Sequence, residues 1–476
     1  MSAWDDAPVR PGRIISTVLL VALVAACSSG GAKGSRTTVG VGAATVHPAD
    51  CGLAELAAAK GPVEVTFWHV QTEADNTNIA TLAAKFNASQ SKVHVNLVQQ
   101  ATYADEMQKW QAGLTTGDLP DSAQMQETNV QQLMDSKSTV PVAACVEADH
   151  FDLSDFTRKP IDYYTVDGVL QALAWNVSNI AFFYNRVDFT KAGLDPNAPP
   201  KTLDELRTAA QQIVDRKVAP HGMSMRIAPD FFEYWFAKAD KSWLDHGNGR
   251  TGRATKVELL NDTGRTLWKW WKDMVDSGLV LNVGSDPTTI DHFLAIGNHQ
   301  ASMTIEGNAG LARINAALNS GIWKGVQSGI SPLPGIAAGG GVPIGDGSLW
   351  IAKSASPVRR AASWQWMKFL VSTESQIWWM EQKGAAPTRQ SVADDPGVKQ
   401  FWAQHPEYRV GWDQVQAGPV DDASAGARLG PFQAVRNAIR EDFALFLRGG
   451  MTVDDGLRRA EYDANAAIAD YNRRVG

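Results

Sequence analysis

The chain has 476 residues, 44% of them hydrophobic and 20% charged, and a formal net charge of −7. A single hydrophobic core stops growing near roughly 250–300 residues, so two domains or one bilobed unit are expected. The negative balance argues against a nucleic-acid partner, because phosphate binding needs a basic surface.

The first element is a leader. Arg10 and Arg13 precede a largely apolar run from Ile14 to Ala26, with small residues just before Cys27. A charged start, a short apolar core and a small-residue cleavage site make residues 1–26 a secretory signal peptide. The run is shorter than the roughly 20 residues a bilayer span takes. Val24-Ala25-Ala26-Cys27 resembles a bacterial lipobox, which implies lipidation of Cys27 and anchoring of the exported chain to the outer face of the cytoplasmic membrane. An ordinary cleaved signal with a chance cysteine is the plainer alternative. Residues 27–61, small and flexible over Ser28 to Gly34, are read as the tether such an anchor needs. No later apolar run approaches the ~18 residues of a membrane span. The remaining Cys51 and Cys145 form an even pair in an exported chain, for which a disulfide is the expectation and two separate buried thiols the alternative. Neither sits in a CxxC or Cys/His pattern, so no metal site is expected.

From Pro62 strand and helix alternate. VEVTFW places Val63, Val65 and Phe67 at period two, a strand; Ile79, Leu82, Ala83 and Phe86 then share one helical face. Val93, Val95 and Leu97 alternate again, followed by a helix carrying Met107, Trp110 and Leu114, the break GDLPD, and a short strand DSAQMQ. This order predicts an α/β fold with mainly parallel sheets. Ligands of such sheets bind at the carboxyl ends of strands, here His69 to Thr72, Gln126 to Thr128 and Glu306 to Gly310. Seventeen tryptophans are out of scale and suit sugar binding, since flat rings stack on C–H faces. Most are read as core: Leu267, Trp270, Trp271 and Met274 recur at helical spacing. The last fifty residues read as two helices broken at Gly449-Gly450 and packed on the second lobe.

Catalytic constellations are missing. There is no GxSxG elbow, HExxH, Walker A spacing or EF-hand loop. With 51 acidic residues a carboxylate pair is always available and proves nothing. No enzymatic role, cofactor or metal is expected.

Taken in order, LAAKFN, GDLPD, LQALAWNVSNIAFFYN, KAGLDPNAPPKTLDEL, ASMTIEGNAGLARI, GDGSLWIAKSAS, WMKFLVSTESQ and GARLG resemble the solute-binding proteins of bacterial carbohydrate ABC importers, the family 1 type that includes maltose- and glycerol-3-phosphate-binding proteins. Ala174 and Leu203 depart from a common proline and tryptophan. The resemblance implies a two-lobed periplasmic-binding-protein fold with a hinge and a ligand cleft. The lobe boundaries it suggests are 62–175 with 299–345, and 176–298 with 346–476. It also implies a monomer that binds a sugar, amino sugar or glycerol-containing polyol and delivers it to membrane permease subunits. An exported glycosidase and a non-transport sensor are the alternatives.

The glycerol-3-phosphate-binding type is similar in spacing. Tyr103 and Glu127 fall on its polyol-side tyrosine and glutamate, Ser178 on a ligand-contacting serine, and Arg428 on an anion-side arginine. Its serine-rich stretch is replaced around Asn308, a turn tyrosine has become Ala385, and a glycine before Gly347 has become Asp346. Phe231 and Trp235 stand near an aromatic lining position, and His69 at the first strand end. The substituted phosphate side implies a neutral, amino-bearing or zwitterionic ligand, with Arg428 as partner of Asp346 and glycerol 3-phosphate binding poorly.

Overall fold

The computed structural model describes residues 46–71, 73–285 and 290–476. Cys27, residues 1–26 (read from the sequence as a signal peptide) and Thr72 lie outside the described residues. The alternating segment at Val63 forms β1 (Val63–His69), with Val65 and Phe67 buried. In chain order there follow β2 (Val93–Gln99), β3 (Ser122–Gln126), β4 (Thr139–Val140), the hairpin β5 (Thr165–Val166) and β6 (Val169–Leu170), and β7 (Leu173–Ala174). Next come β8 (Ile180–Asn185), β9 (Met223–Met225), β10 (Val280–Asn282), β11 (Met303–Gly307), β12 (Ser328–Pro332) and β13 (Gly347–Ala352).

Two sheets organise two lobes. The first has the order β2-β1-β3-β13-β4, with β7 also on β13; the second has β10-β9-β11-β8-β12. Both are mixed, where mainly parallel sheets were expected. β1, β2 and β3 are parallel, and so are β9, β10 and β11. The antiparallel members β8 and β13 are the strands that follow a crossing from the other lobe, so they enter the sheet from the opposite end.

The strand pairing also corrects the expected lobe boundaries. The segment 299–345 supplies β11 and β12 to the second sheet, where both pair with β8. β13, expected in the second lobe, pairs with β3 in the first. The chain crosses at 175–179 and again after β12, and the helices Pro357–Leu370 and Thr373–Lys383 pack back on β1 and on the helix Glu73–Ser89. Within the span read as a tether, Pro48–Cys51 and Leu53–Ala58 are instead helical and pack on the first lobe. Cys51 and Cys145 are joined by a disulfide with Cα atoms 4.9 Å apart.

Apolar patterning explains the cores. IAFFYN is buried on both faces of β8: Phe182 and Tyr184 join the main core, Ala181 and Phe183 a smaller one with Phe293 and Leu311. Each such side chain contributes about 1.5–3 kcal/mol on burial. On the helix Asp262–Asp276, Leu267, Trp270, Trp271 and Met274 form the buried stripe, and Trp271 packs on Phe232 and Phe443. Phe443 belongs to Phe432–Leu447, which pairs with the final helix Val453–Val475 against this lobe.

Candidate functional site

The two crossings run side by side. Ser178 and Gly345 exchange backbone hydrogen bonds of 3.1 and 2.8 Å, and Trp175 N–H donates to Gly347 O at 3.1 Å. Trp175 stacks on Trp379 with ring centroids 4.3 Å apart.

Asp346 ends the returning crossing at φ +85°. Its Oδ1 accepts the Tyr103 hydroxyl (3.2 Å) and Gly347 N–H (2.8 Å); its Oδ2 accepts the Asn176 amide (2.6 Å), with Lys383 Nζ at 3.7 Å. Gln124 Nε2 donates to the Tyr103 oxygen (2.7 Å), Gln71 Nε2 to Gln124 Oε1 (3.0 Å), and Lys383 to Gln71 Oε1 (3.2 Å). The network closes on itself.

In front of it lies a cavity of about 20 Å³ between the lobes. Glu127, Thr128 and Tyr163 line it from the first lobe; Glu233, Tyr234, Trp243, Phe432 and Arg436 line it from the second. Glu127 Oε2 accepts Asp346 N–H (3.1 Å), and the Tyr163 hydroxyl donates to Glu127 O (3.0 Å). Arg436 grips Glu233 with two hydrogen bonds of 2.6 and 2.8 Å. Burial pushes the Glu127 carboxyl up to about 7, against the opposing pull of Arg436. Burial raises Glu233 too, and Arg436 offsets part of that. One carboxylate is thus committed to an arginine, while the other titrates near neutrality beside aromatic rings. Such a set stacks on C–H faces and accepts hydroxyl hydrogens or an ammonium group. A volume of this size holds about one water. Small-molecule sites take roughly 300–1,000 Å³, so the lobes must part to admit a sugar.

Among the expected residues, Glu127 lines this cavity. Tyr103, Asp346 and Gly347 belong to the closed network behind it. Ser178 Oγ donates to Asn308 Oδ1 (3.2 Å), which also accepts Asn179 N–H (2.9 Å), so this pair fixes the crossing to the turn after β11. His69 Nδ1 accepts Gln71 N–H (3.2 Å), and burial lowers its imidazole to about 4, leaving it neutral.

Three expectations need correction. Phe231 and Trp235 do not face the cavity; both are fully buried, Phe231 against Trp271 and Trp235 donating its indole N–H to Pro334 O (3.0 Å). On the helix Pro229–Lys238 they lie on the core stripe, and the intervening Glu233 and Tyr234 turn to the cavity. Arg428 is not the partner of Asp346. Its guanidinium donates to Gly249 O (3.1 and 3.0 Å) and Arg250 O (2.8 Å), while Lys383 is the cation beside Asp346. Arg250 in turn donates to Tyr163 O (3.0 Å), Ala425 O and Gly426 O (both 2.7 Å).

Glu233, Tyr234, Trp243 and Arg436 escaped the sequence reading. An acid set among aromatics in PDFFEYW was a usable local signal. Arg436 had none, since its partner stands 203 residues away.

Two α/β lobes, adjacent crossings and a polar, aromatic-lined cavity between them define a bilobal binding protein. The chain belongs to the bacterial extracellular solute-binding protein family, whose profile matches residues 81–409. It is 25% identical over 417 residues to the sn-glycerol-3-phosphate-binding periplasmic protein UgpB of Brucella abortus (strain 2308), covering 85% of this chain and 93% of that protein. The corresponding protein of Rhizobium meliloti (strain 1021) is 26% identical over 422 residues, 86% of this chain and 95% of that one. The fold matches the cyclic α-maltosyl-1,6-maltose binding protein from Arthrobacter globiformis (TM-score 0.70, 22% identity, 86% of this chain, 100% of that one). It also matches UgpB from Mycobacterium tuberculosis in complex with glycerophosphocholine (TM-score 0.70, 18% identity, 87% and 100%). All four are named as binding proteins or described with a bound ligand.

Proposed function

We propose that this chain is the solute receptor of an ABC importer, exported and held at the outer face of the cytoplasmic membrane through lipidated Cys27. It binds, as a monomer, a sugar, amino sugar or glycerol-containing polyol between its lobes and presents it to permease subunits. The observation that carries this reading is the cavity itself, which draws Glu127 and Tyr163 from one lobe and Tyr234, Trp243 and Arg436 from the other. A ligand drives closure only by contacting both lobes.

The charge balance narrows the ligand. With Arg436 committed to Glu233, an ionised Glu127 leaves the cavity one net negative charge. A phosphate monoester would meet like charge in a desolvated site, which costs several kcal/mol. A neutral polyol, an amino sugar or a zwitterion of the glycerophosphocholine kind satisfies it, because the carboxylate accepts hydroxyls or faces the cation. The argument against phosphate therefore rests on Glu127, since Asp346 is already engaged. Calorimetry with glycerol 3-phosphate, glucosamine, maltose and glycerophosphocholine tests this. At least one of the last three should bind at least tenfold more tightly than the first, and Glu127→Ala should weaken that ligand at least tenfold without changing the fold. Tight glycerol 3-phosphate binding, or affinity unmoved by the substitution, would overturn the site assignment. Catalytic release of product from oligosaccharides would favour the glycosidase reading instead.

A further inference from the structure

A second pocket lies in the second lobe and shares no lining residue with the inter-lobe cavity. It has about 320 Å³, within the range of small-molecule sites, roughly 300–1,000 Å³. Pro199, Pro200, Pro332, Leu333, Ala338 and Ala417 supply apolar walls. The glycine-rich turn lies over Lys238: at Gly340, φ +76°, an added Cβ would stand 2.1 Å from Lys238 O, so only glycine lets the turn settle there. The Lys238 stem is trapped beneath it, with Cε 3.0 Å from the Cβ position of Gly335.

Lys238 is the unusual wall. The residue is 8% exposed, and among the described residues no ion pair or hydrogen bond engages its Nζ. Of the other charged lining groups, Asp413 accepts from Arg409 (3.0 Å), and Lys201 is exposed. Burial lowers the Lys238 ammonium to about 8, and among the described residues no carboxylate offsets it. The Lys238 ammonium is thus largely desolvated yet reaches the pocket it lines, where an ion of opposite sign would balance it.

We propose that this pocket is a second ligand site, taking a small apolar carboxylate whose charge pairs with Lys238 and whose body fills the proline- and alanine-lined volume. One ammonium matches one carboxylate. A dianionic phosphate would leave excess charge among apolar walls.

Octanoate is the probe, titrated by calorimetry into the whole exported protein at pH 7. Saturable one-to-one binding is expected, with octanoate at least tenfold weaker in Lys238→Met and octanol equal in both proteins. Glu127→Ala should leave octanoate affinity unchanged. In the wild-type protein, NMR of isotopically methylated lysines should show octanoate moving one titration to higher pH. This measurement decides the matter even if Lys238→Met folds poorly. No octanoate binding, equal binding by Lys238→Met, loss of binding in Glu127→Ala, competition by inorganic phosphate, or an unmoved lysine titration would each overturn the proposal.

Discussion

Asp346 holds a backbone conformation, φ +85°, that favours glycine, yet its carboxylate closes a network through Tyr103, Asn176, Gly347 and Lys383. Left-handed backbone costs a non-glycine residue about 1–2 kcal/mol. Hydrogen bonds to a charged group contribute about 1.5–3 kcal/mol each, so the network outweighs the strain. Asp346→Gly should therefore destabilise the protein, by about 2 kcal/mol in urea unfolding with an unchanged m-value; a gain in stability would show that strain dominates. Glu106 is a different case. Among the described residues both its carboxyl oxygens are buried without a hydrogen-bond partner, and burial pushes it up to about 9 despite nearby Lys109. Between roughly pH 5 and 9 the folded state holds a proton that the unfolded chain has released, so stability falls as pH rises. At pH 7 that is on the order of 3 kcal/mol. Glu106→Gln should flatten this slope and melt above the wild type at pH 8; parallel melting curves across pH would refute it. Strand-end position and the family resemblance both pointed to Glu127, and it does line the inter-lobe cavity. Neither could reveal that Tyr103 and Asp346 are satisfied by each other, because they stand 243 residues apart.

Helix faces set what sequence can disclose about elements. Periodicity was enough for the buried stripe of Asp262–Asp276 and the alternation of β1, because each is decided by residues a few positions apart. On Pro229–Lys238 aromatic residues occur on both faces, so hydrophobicity alone could not tell Phe231 and Trp235 in the core from Tyr234 at the cavity. The loop Asp421–Gly430 depends on two arginines. Arg428 holds Gly249 O and Arg250 O, and Arg250 holds Ala425 O, Gly426 O and Tyr163 O. Arg428→Ala should thus lower the melting temperature together with solute affinity, whereas Glu127→Ala should lower affinity alone. Lost affinity with an unchanged melting temperature would return Arg428 to the ligand.

The lobes are also tied to each other by residues outside the cavity lining. Asp135, on Val130–Ser136 of the first lobe, accepts two hydrogen bonds from Arg253 (2.9 and 2.6 Å) and one from the Tyr471 hydroxyl (2.8 Å) of the second. Burial alone would raise its carboxyl, but Arg253 and Tyr471 more than offset this and lower it. The contribution is present at neutral pH and is lost as pH falls through that lowered value. Asp135→Asn should shift unliganded protein toward parted lobes, seen as a larger radius of gyration in solution scattering; an unchanged radius would dismiss the latch. The α/β character was legible from the order of strands and helices, and the bilobal plan from chain length and the family resemblance. The exchange of 299–345 and β13 between lobes was not, because a strand's sheet is chosen by partners far along the chain.

The Cys51–Cys145 bond has a mechanical consequence. The linked residues are 94 apart in sequence, and the loop between them contains β1, β2, β3 and Glu127. Traction applied through the segment before residue 46 reaches the disulfide and passes directly to Cys145. The intervening residues are off the load path. A pull on the amino-terminal end therefore bypasses β1 while the bond is intact, whereas in a reduced protein the same force would pass through the helix Leu53–Ala58 toward that strand.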